Sequence, residues 1–253
     1  MSTTKTTSKT LLFLGPTGGI GLRVLRHSLH QHTCICLVRN PSKLLSLLYP
    51  STPNSTPPPN LTILRGNAHS IPDLLTALTS PNPSRLPDYI ISSIGGAFTW
   101  SRLSLDDPHV CEKGMTALLS ALSQAREKGI SGRPHIVAVS TIGLSKLYRD
   151  IPIAMVPLYN TVLRVPYVDK GEMERILVAS AERWTVVRPS LMVDAAEGEA
   201  KKKVRVGVED PVGGRVERRE VGYTISREDV AGWIYGEVVV GEGWEGRAVS
   251  LTW

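Results

Sequence analysis

Cysteine is scarce in this chain of 253 residues, with Cys34, Cys36 and Cys111 the whole set. Three thiols at these spacings exclude a disulfide framework and a cysteine-based zinc site. Cys34 and Cys36, two apart on an expected strand, share one face and read as small core residues. Long apolar runs are also missing, so no membrane-spanning helix is expected. The first ten residues are Met, Ser, Thr and Lys without the apolar centre of a secretory signal. A disordered tail over 1–10 on a soluble, cytoplasmic protein is expected.

Acidic residues are the minority charge, 23 against 29 Lys and Arg, for a formal net charge of +6. Such an excess suits an anionic ligand without requiring nucleic acid. Seven of the basic residues, Lys201, Lys202, Lys203, Arg205, Arg215, Arg218 and Arg219, crowd into 201–219 with no aromatic residue among them. A nucleic-acid surface would need rings on which bases stack, so a solvated face or a small anionic ligand is expected instead. His27, His30 and His32 cluster at the end of the first expected helix, where a cation favours the helix dipole and no metal is needed.

What the chain does have is Leu11-Leu12-Phe13-Leu14-Gly15-Pro16-Thr17-Gly18-Gly19-Ile20-Gly21. Four apolar residues, a glycine turn and then Leu22, Val24, Leu25 and Leu29 at helical spacing predict a strand, a tight turn and a helix start. That turn offers backbone N–H groups to a phosphate, and the missing Cβ atoms let a pyrophosphate approach. Gly15, Thr17, Gly18, Gly19, Ile20 and Gly21 are therefore the expected cofactor cradle. The spacing is Gly-x-x-Gly-x-x-Gly rather than the usual Gly-x-Gly-x-x-Gly, and its position in the first strand-to-helix turn favours a dinucleotide.

The second strand, over 33–38, ends at Arg39, with Asn40 as helix cap and Pro41 at the first helical position. An NAD site usually has an acid at this strand end for the ribose 2′-hydroxyl. Here Arg39 and Lys43 stand instead and suit a 2′-phosphate, so NADP is expected. A proline-rich loop over 50–60 leads to a strand over 61–64, and Ser70-x-x-Asp73 reads as a capping box opening a helix. The fourth strand runs into small residues around Ser93 that leave room for the adenine ribose.

A long helix is expected from Asp107-Pro108 to Gly129. The strand over 135–141 then delivers Ser140 and Thr141 at the sheet edge where open α/β sheets bind ligands. The proline-interrupted stretch over 142–166 is expected to be a functional loop before a helix over 167–181. On that helix Tyr167, Lys170 and Glu174 share a face, and a surface Lys170–Glu174 pair is the plain structural alternative. A strand over 184–190, a short exposed strand over 204–208, a helix capped by Ser226 and a closing strand over 247–251 complete the pattern. The predicted class is α/β: a doubly wound, mostly parallel Rossmann sheet with helices on both faces and a small C-terminal substrate-binding region. A single domain over 11–253 is expected, with substrate-binding segments at 142–166 and 191–226.

Five segments in order carry a resemblance: the glycine turn, Val139-Ser140-Thr141-Ile142-Gly143, Asp169-Lys170-Gly171-Glu172-Met173-Glu174, Val187-Arg188-Pro189, and Ile225-Ser226-Arg227-Glu228-Asp229-Val230-Ala231. Together they resemble the atypical short-chain dehydrogenase/reductases, and among them the NmrA-like NAD(P)-binding proteins common in fungi. The resemblance implies that Ser140 or Thr141 orients a carbonyl and that Lys170 holds the nicotinamide ribose and lowers the pKa of a tyrosine acid. In the family that tyrosine stands four residues before the lysine. Pro166 occupies the position here, and Tyr167, three before, or Tyr159 in the loop is the candidate. Asn67 stands where the family has an acid after strand three, and Pro189 and Ser190 match the turn beside the carboxamide. The activity implied is NADP-dependent reduction of a carbonyl or activated double bond of a small, largely apolar molecule, with a role in secondary metabolism. A non-redox isomerase, cyclase or dehydratase and an NADP-sensing binding protein are the alternatives.

Overall fold

The computed structural model describes residues 8–52, 56–95, 98–99, 104–105, 107–157, 161, 163–194 and 202–253. Most of the 1–10 tail expectation, Tyr159 and parts of both expected substrate segments lie outside the described residues.

Near-continuous apolar runs along the inner strands build one sheet with two buried faces. β1 (Thr10–Leu14), β2 (Thr33–Val38), β3 (Leu61–Arg65), β4 (Tyr89–Ser92), β7 (His135–Val139), β8 (Arg183–Pro189) and β13 (Arg247–Thr252) are joined by β10 (Arg205–Asp210) and β11 (Arg215–Arg218). Their order is β11-β10-β13-β8-β7-β4-β1-β2-β3. Pairing is parallel from β3 to β13 and antiparallel at β10 and β11. Two small pairs stand apart, β5 (Phe98–Thr99) with β6 (Ser104–Leu105) and β9 (Leu191–Val193) with β12 (Thr224–Ser226).

Leu11 and Phe13 of β1, with Cys34 and Cys36 of β2, face α1 (Gly19–Ser28), α2 (Pro41–Leu48), α6 (Arg227–Trp233) and a π-helical segment, Ile234–Val240. Leu12 and Leu14, with Ile35 and Leu37, face α3 (Ile71–Leu78), α4 (Val110–Glu127) and α5 (Arg164–Val178). Both cysteines are fully buried on one face, as their spacing predicts. The strand order reverses between β1 and β4, and the crevice at such a switch point is where doubly wound sheets take ligands.

Several boundaries differ from the sequence pattern for physical reasons. α5 begins at Arg164 rather than 167, because Pro166 falls in the first turn, where its missing N–H costs nothing. α4 begins at Val110, since Asp107 turns back to accept the His109 N–H at 3.0 Å. Ser70 caps α3, but Asp73 does not close the box; its carboxylate accepts the Asn67 N–H at 2.8 Å. The expected exposed strand over 204–208 is β10, an inner strand with Glu209 only 3% exposed. Its burial depends on Arg188, a partner from another strand. His32 is buried, and burial followed by the Lys9 charge lowers its pKa, so it is no dipole-facing cation. Its Nδ1 accepts the Lys9 N–H, while His27 meets Glu228 at 2.8 Å. Of the basic stretch, Lys202, Lys203, Arg215, Arg218 and Arg219 are exposed, as a solvated face requires, while Arg205 pairs with Glu220 at 2.5 Å, Arg215 with Asp210 at 3.4 Å, and Lys202 lies over the Trp253 ring.

Candidate functional site

The glycine turn closes on the exit of β4. Gly15 has φ +80°, the left-handed region, and a Cβ there would stand 2.8 Å from the Ser93 carbonyl oxygen. At Gly21 a Cβ would lie 2.7 Å from the Gly15 carbonyl and closer still to the Ser93 hydroxyl. Ser93 fastens the two strand ends, its N–H donating to Leu14 at 2.9 Å and its hydroxyl to Gly15 at 3.1 Å. Gly18 donates to the Gly15 carbonyl at 3.0 Å and starts α1, whose first turn carries no acid. The α1 N-terminus therefore opens onto the crevice with its positive end unopposed.

Two cavities flank this turn and share Gly18, Ser93, Ile94 and Gly95 as a common border. The outer one, about 580 Å³, is bordered by Gly15, Thr17, Arg39, Lys43 and Asn67 among others. The Asn40 side chain accepts the Lys43 N–H at 3.1 Å, which fixes the start of α2 and with it the two cations. Asn67 borders this cavity, and its side-chain oxygen is taken by the His69 N–H at 3.1 Å.

The inner cavity, about 220 Å³, is bordered by Gly19, Ile20, Ser140, Lys170, Asp169 and Arg227 among others. Ser140 follows β7 and is 1% exposed, and its hydroxyl has no hydrogen-bond partner among the described residues. Such a buried group is costly unless something completes it, and a bound polar ligand would do so. Lys170 reaches across from α5 to the Val139 carbonyl at 2.8 Å. Cys111 also borders this cavity, but burial pushes its thiol up to about 12, which rules out a ready thiolate.

The crevice thus gathers Gly15, Thr17, Gly18, Gly19, Ile20, Arg39, Lys43, Asn67, Ser93, Ser140 and Lys170, with Gly21 directly behind the turn. Thr141, Tyr167 and Pro189 do not border either cavity. Pro189 sits in β8 opposite Leu251, its carbonyl accepting the Ile142 N–H at 3.2 Å. The Tyr167 hydroxyl donates to the Gly143 carbonyl, and the ring packs beside Ile142 and Ile151. Burial, then the carboxylates of Asp150 and Glu174, raise its pKa, the opposite of what a lysine neighbour would do. The Lys170–Glu174 pair is not formed: Glu174 is 6% exposed and binds Arg188.

Three site features escape the sequence pattern. Arg227 lies across Gly19, its Cδ 2.5 Å from where a Cβ would stand, so a larger residue there would push the Arg227 side chain aside. Its guanidinium meets Asp194 at 3.2 Å. The signal was present, since the Ser226 cap puts Arg227 at the first position of α6. Asp169 turns its carboxylate to the start of α4, which spacing along one helix does not reveal. Asp150 is buried beneath the loop after β7 and accepts the Gly143 N–H at 2.8 Å. Among the described residues no group of three or more His, Cys, Asp or Glu could hold a metal, and no helix is long and apolar enough to cross a membrane.

A nicotinamide dinucleotide fits these residues: a helix N-terminus free of acids between two joined cavities, cations beside the outer one and, bordering the inner one, Ser140 with its hydroxyl uncompleted. Known proteins agree in sequence and in fold. A family model for NAD(P)H-binding proteins matches residues 15–238. The reductase pytE of Aspergillus terreus is 38% identical over 96% of this chain and 98% of its own, and the oxidase pynE of Aspergillus niger is 33% identical over the same shares. A short-chain dehydrogenase/reductase from Veillonella parvula, solved in complex with NADP, superposes with TM-score 0.70 at 16% identity over 97% of this chain and 94% of that one. ChuY, an anaerobilin reductase from Escherichia coli O157:H7, does so with TM-score 0.64 at 20% identity over 96% and 95%. The chain belongs to the NAD(P)H-binding family and carries its Rossmann fold through a nine-stranded, mostly parallel sheet.

Proposed function

We propose that the chain is an NADP-dependent reductase of the atypical short-chain class, acting on a carbonyl or activated double bond of a small, largely apolar molecule. The observation that carries it is the buried, uncompleted Ser140 hydroxyl beside Lys170 at the inner cavity. The names of the two Aspergillus relatives support an oxidoreductase. When bound, the nicotinamide supplies or accepts the hydride.

Each residue has a defined task. Arg39 and Lys43 hold the ribose 2′-phosphate, which selects NADP over NAD because the end of β2 carries no acid. The N–H groups opening α1 take the pyrophosphate, and Asn67 faces the adenine side. Lys170 holds the nicotinamide ribose. Ser140 donates a hydrogen bond to the substrate oxygen and polarises it, and the proton that completes the reduction comes from water. Ile20, Ile94 and Met192 give the inner cavity apolar walls that exclude water and suit an apolar substrate.

A second reading, an NADP-responsive binding protein, is supported by the Tyr167 hydroxyl, which is spent on the Gly143 carbonyl. Calorimetry with NADPH and NADH, followed by loss of reduced-nicotinamide absorbance against a panel of carbonyl and enone compounds, separates the readings. Tighter NADPH binding and a product two hydrogens heavier support the reductase. Tight binding without oxidation supports the binding protein, and no binding of either nucleotide sinks both.

A further inference from the structure

The long helix α4 starts without a cap of its own. Its N-cap residue, His109, makes no side-chain capping bond. Of the first N–H groups, which no α-helix can satisfy internally, those of Cys111 and Glu112 are taken from outside the helix. The Asp169 carboxylate, on α5, accepts from Cys111 at 2.9 and 3.1 Å and from Glu112 at 2.9 Å. Asp169 is 2% exposed, and among the residues bordering the inner cavity it is the one acid.

The neighbouring residue is Lys170. Helical geometry turns consecutive side chains by roughly 100°, so one can point at α4 while the next reaches β7. Lys170 does so, with Nζ 2.8 Å from the Val139 carbonyl at the edge of the same cavity. Two adjacent side chains thus tie α5 to α4 on one side and to the end of β7 on the other. With the Asp169 charge absorbed by the α4 N-terminus and Arg227 paired with Asp194, Lys170 is the cation at this border without an acid partner among the described residues.

We propose that Asp169 is a positioning residue: by capping α4 from α5 it sets where Lys170 stands in the inner cavity, and so how tightly the nicotinamide half of the cofactor is held. The inference rests on the dinucleotide reading above.

The test is a double-mutant cycle on the NADPH dissociation constant, using the wild type, Asp169→Ala, Lys170→Met and the double variant. If Asp169 acts through Lys170, each single change weakens NADPH binding by about tenfold, and the double variant binds no more weakly than Lys170→Met alone. Binding of 2′-AMP, which probes only the outer cavity, stays unchanged in all four. Losses that multiply, a hundredfold for the double variant, overturn the proposal. Should Asp169→Ala also lose 2′-AMP binding through poor folding, the cycle is run with Asp169→Asn, whose amide oxygen remains a capping acceptor. A two- to fivefold loss that disappears in the Lys170→Met background then supports the coupling, and one that persists overturns it. A wild-type protein that binds no NADPH defeats the dinucleotide reading itself, whereas NADPH binding with independent losses defeats only the role of Asp169.

Discussion

Arg188 on β8 grips both oxygens of Glu174 on α5, with N···O distances of 2.7, 3.0 and 3.2 Å. Its remaining arm donates to Glu209 on β10 at 2.5 Å, and none of the three side chains is more than 8% exposed. Burial works against the Arg188 charge, but the two carboxylates outweigh it and push its pKa up. The triad locks the helix that carries Lys170 onto the sheet. Arg188→Met should therefore leave two buried carboxylates unpaired and cost about 3–5 kcal/mol in urea unfolding. Adding Glu174→Gln and Glu209→Gln should recover part of that loss, and an unchanged midpoint for Arg188→Met would mean that the triad contributes no stability.

Arg39 and Lys43 border the outer cavity, and neither has an ion-pair partner among the described residues. Charge-assisted bonds to a phosphate are worth about 1.5–3 kcal/mol. Arg39→Asp should accordingly weaken NADPH binding by roughly 10- to 100-fold and leave NADH binding equal or better, as read by calorimetry. A variant that keeps its preference would remove the basis for NADP over NAD.

Ser140 and Tyr167 are separable by experiment because Ser140 borders the inner cavity with a hydroxyl that has no partner among the described residues, whereas the Tyr167 hydroxyl is bonded to Gly143 away from both cavities. Ser140→Ala should lower kcat/KM by about 10²- to 10³-fold, the cost of removing a donor aimed at a developing negative oxygen. Tyr167→Phe should lower it by less than about tenfold and cost about 1 kcal/mol of stability through the lost bond to the loop. The reverse ranking would restore Tyr167 as the acid.

The parts of the molecule governed by local rules were legible in the sequence. The strand at 33–38, the Asn40 and Ser226 caps and the shared face of Cys34 and Cys36 follow from turn chemistry and period-two alternation. The glycine turn was legible because a strand, glycines and an apolar helix face follow one another in sequence. Partnerships between distant elements were not. The strand over 204–208 reads as exposed, and the buried pair of Arg188 in β8 with Glu209, the next residue of that strand, is invisible in its alternation. Glu174 and Lys170 look like a helix-surface pair, yet one turns to Arg188 and the other to Val139. The spacing of Tyr167 from Lys170 gave an angular mismatch but not its outcome, which the Gly143 carbonyl in the loop decides.

That loop supplies a pH test. Asp150 holds it by accepting the Gly143 N–H at 2.8 Å, while its other oxygen has no partner among the described residues. Burial raises its pKa from 3.8 to about 6, with the Arg188 charge opposing and the Glu209 carboxylate reinforcing the rise. Tyr148 and Tyr167, both of raised pKa through burial, remain neutral across this range. Because the folded protein prefers the protonated acid, the contribution of Asp150 is complete below about pH 4 and is lost as pH climbs through 6. Asp150→Asn keeps an acceptor for Gly143 and never ionises. The variant should gain on the wild type as pH rises from 4 to 8, by up to about 3 kcal/mol in unfolding free energy. Parallel melting-temperature profiles for the two proteins would show that Asp150 titrates as an ordinary exposed carboxylate and that its burial carries no cost.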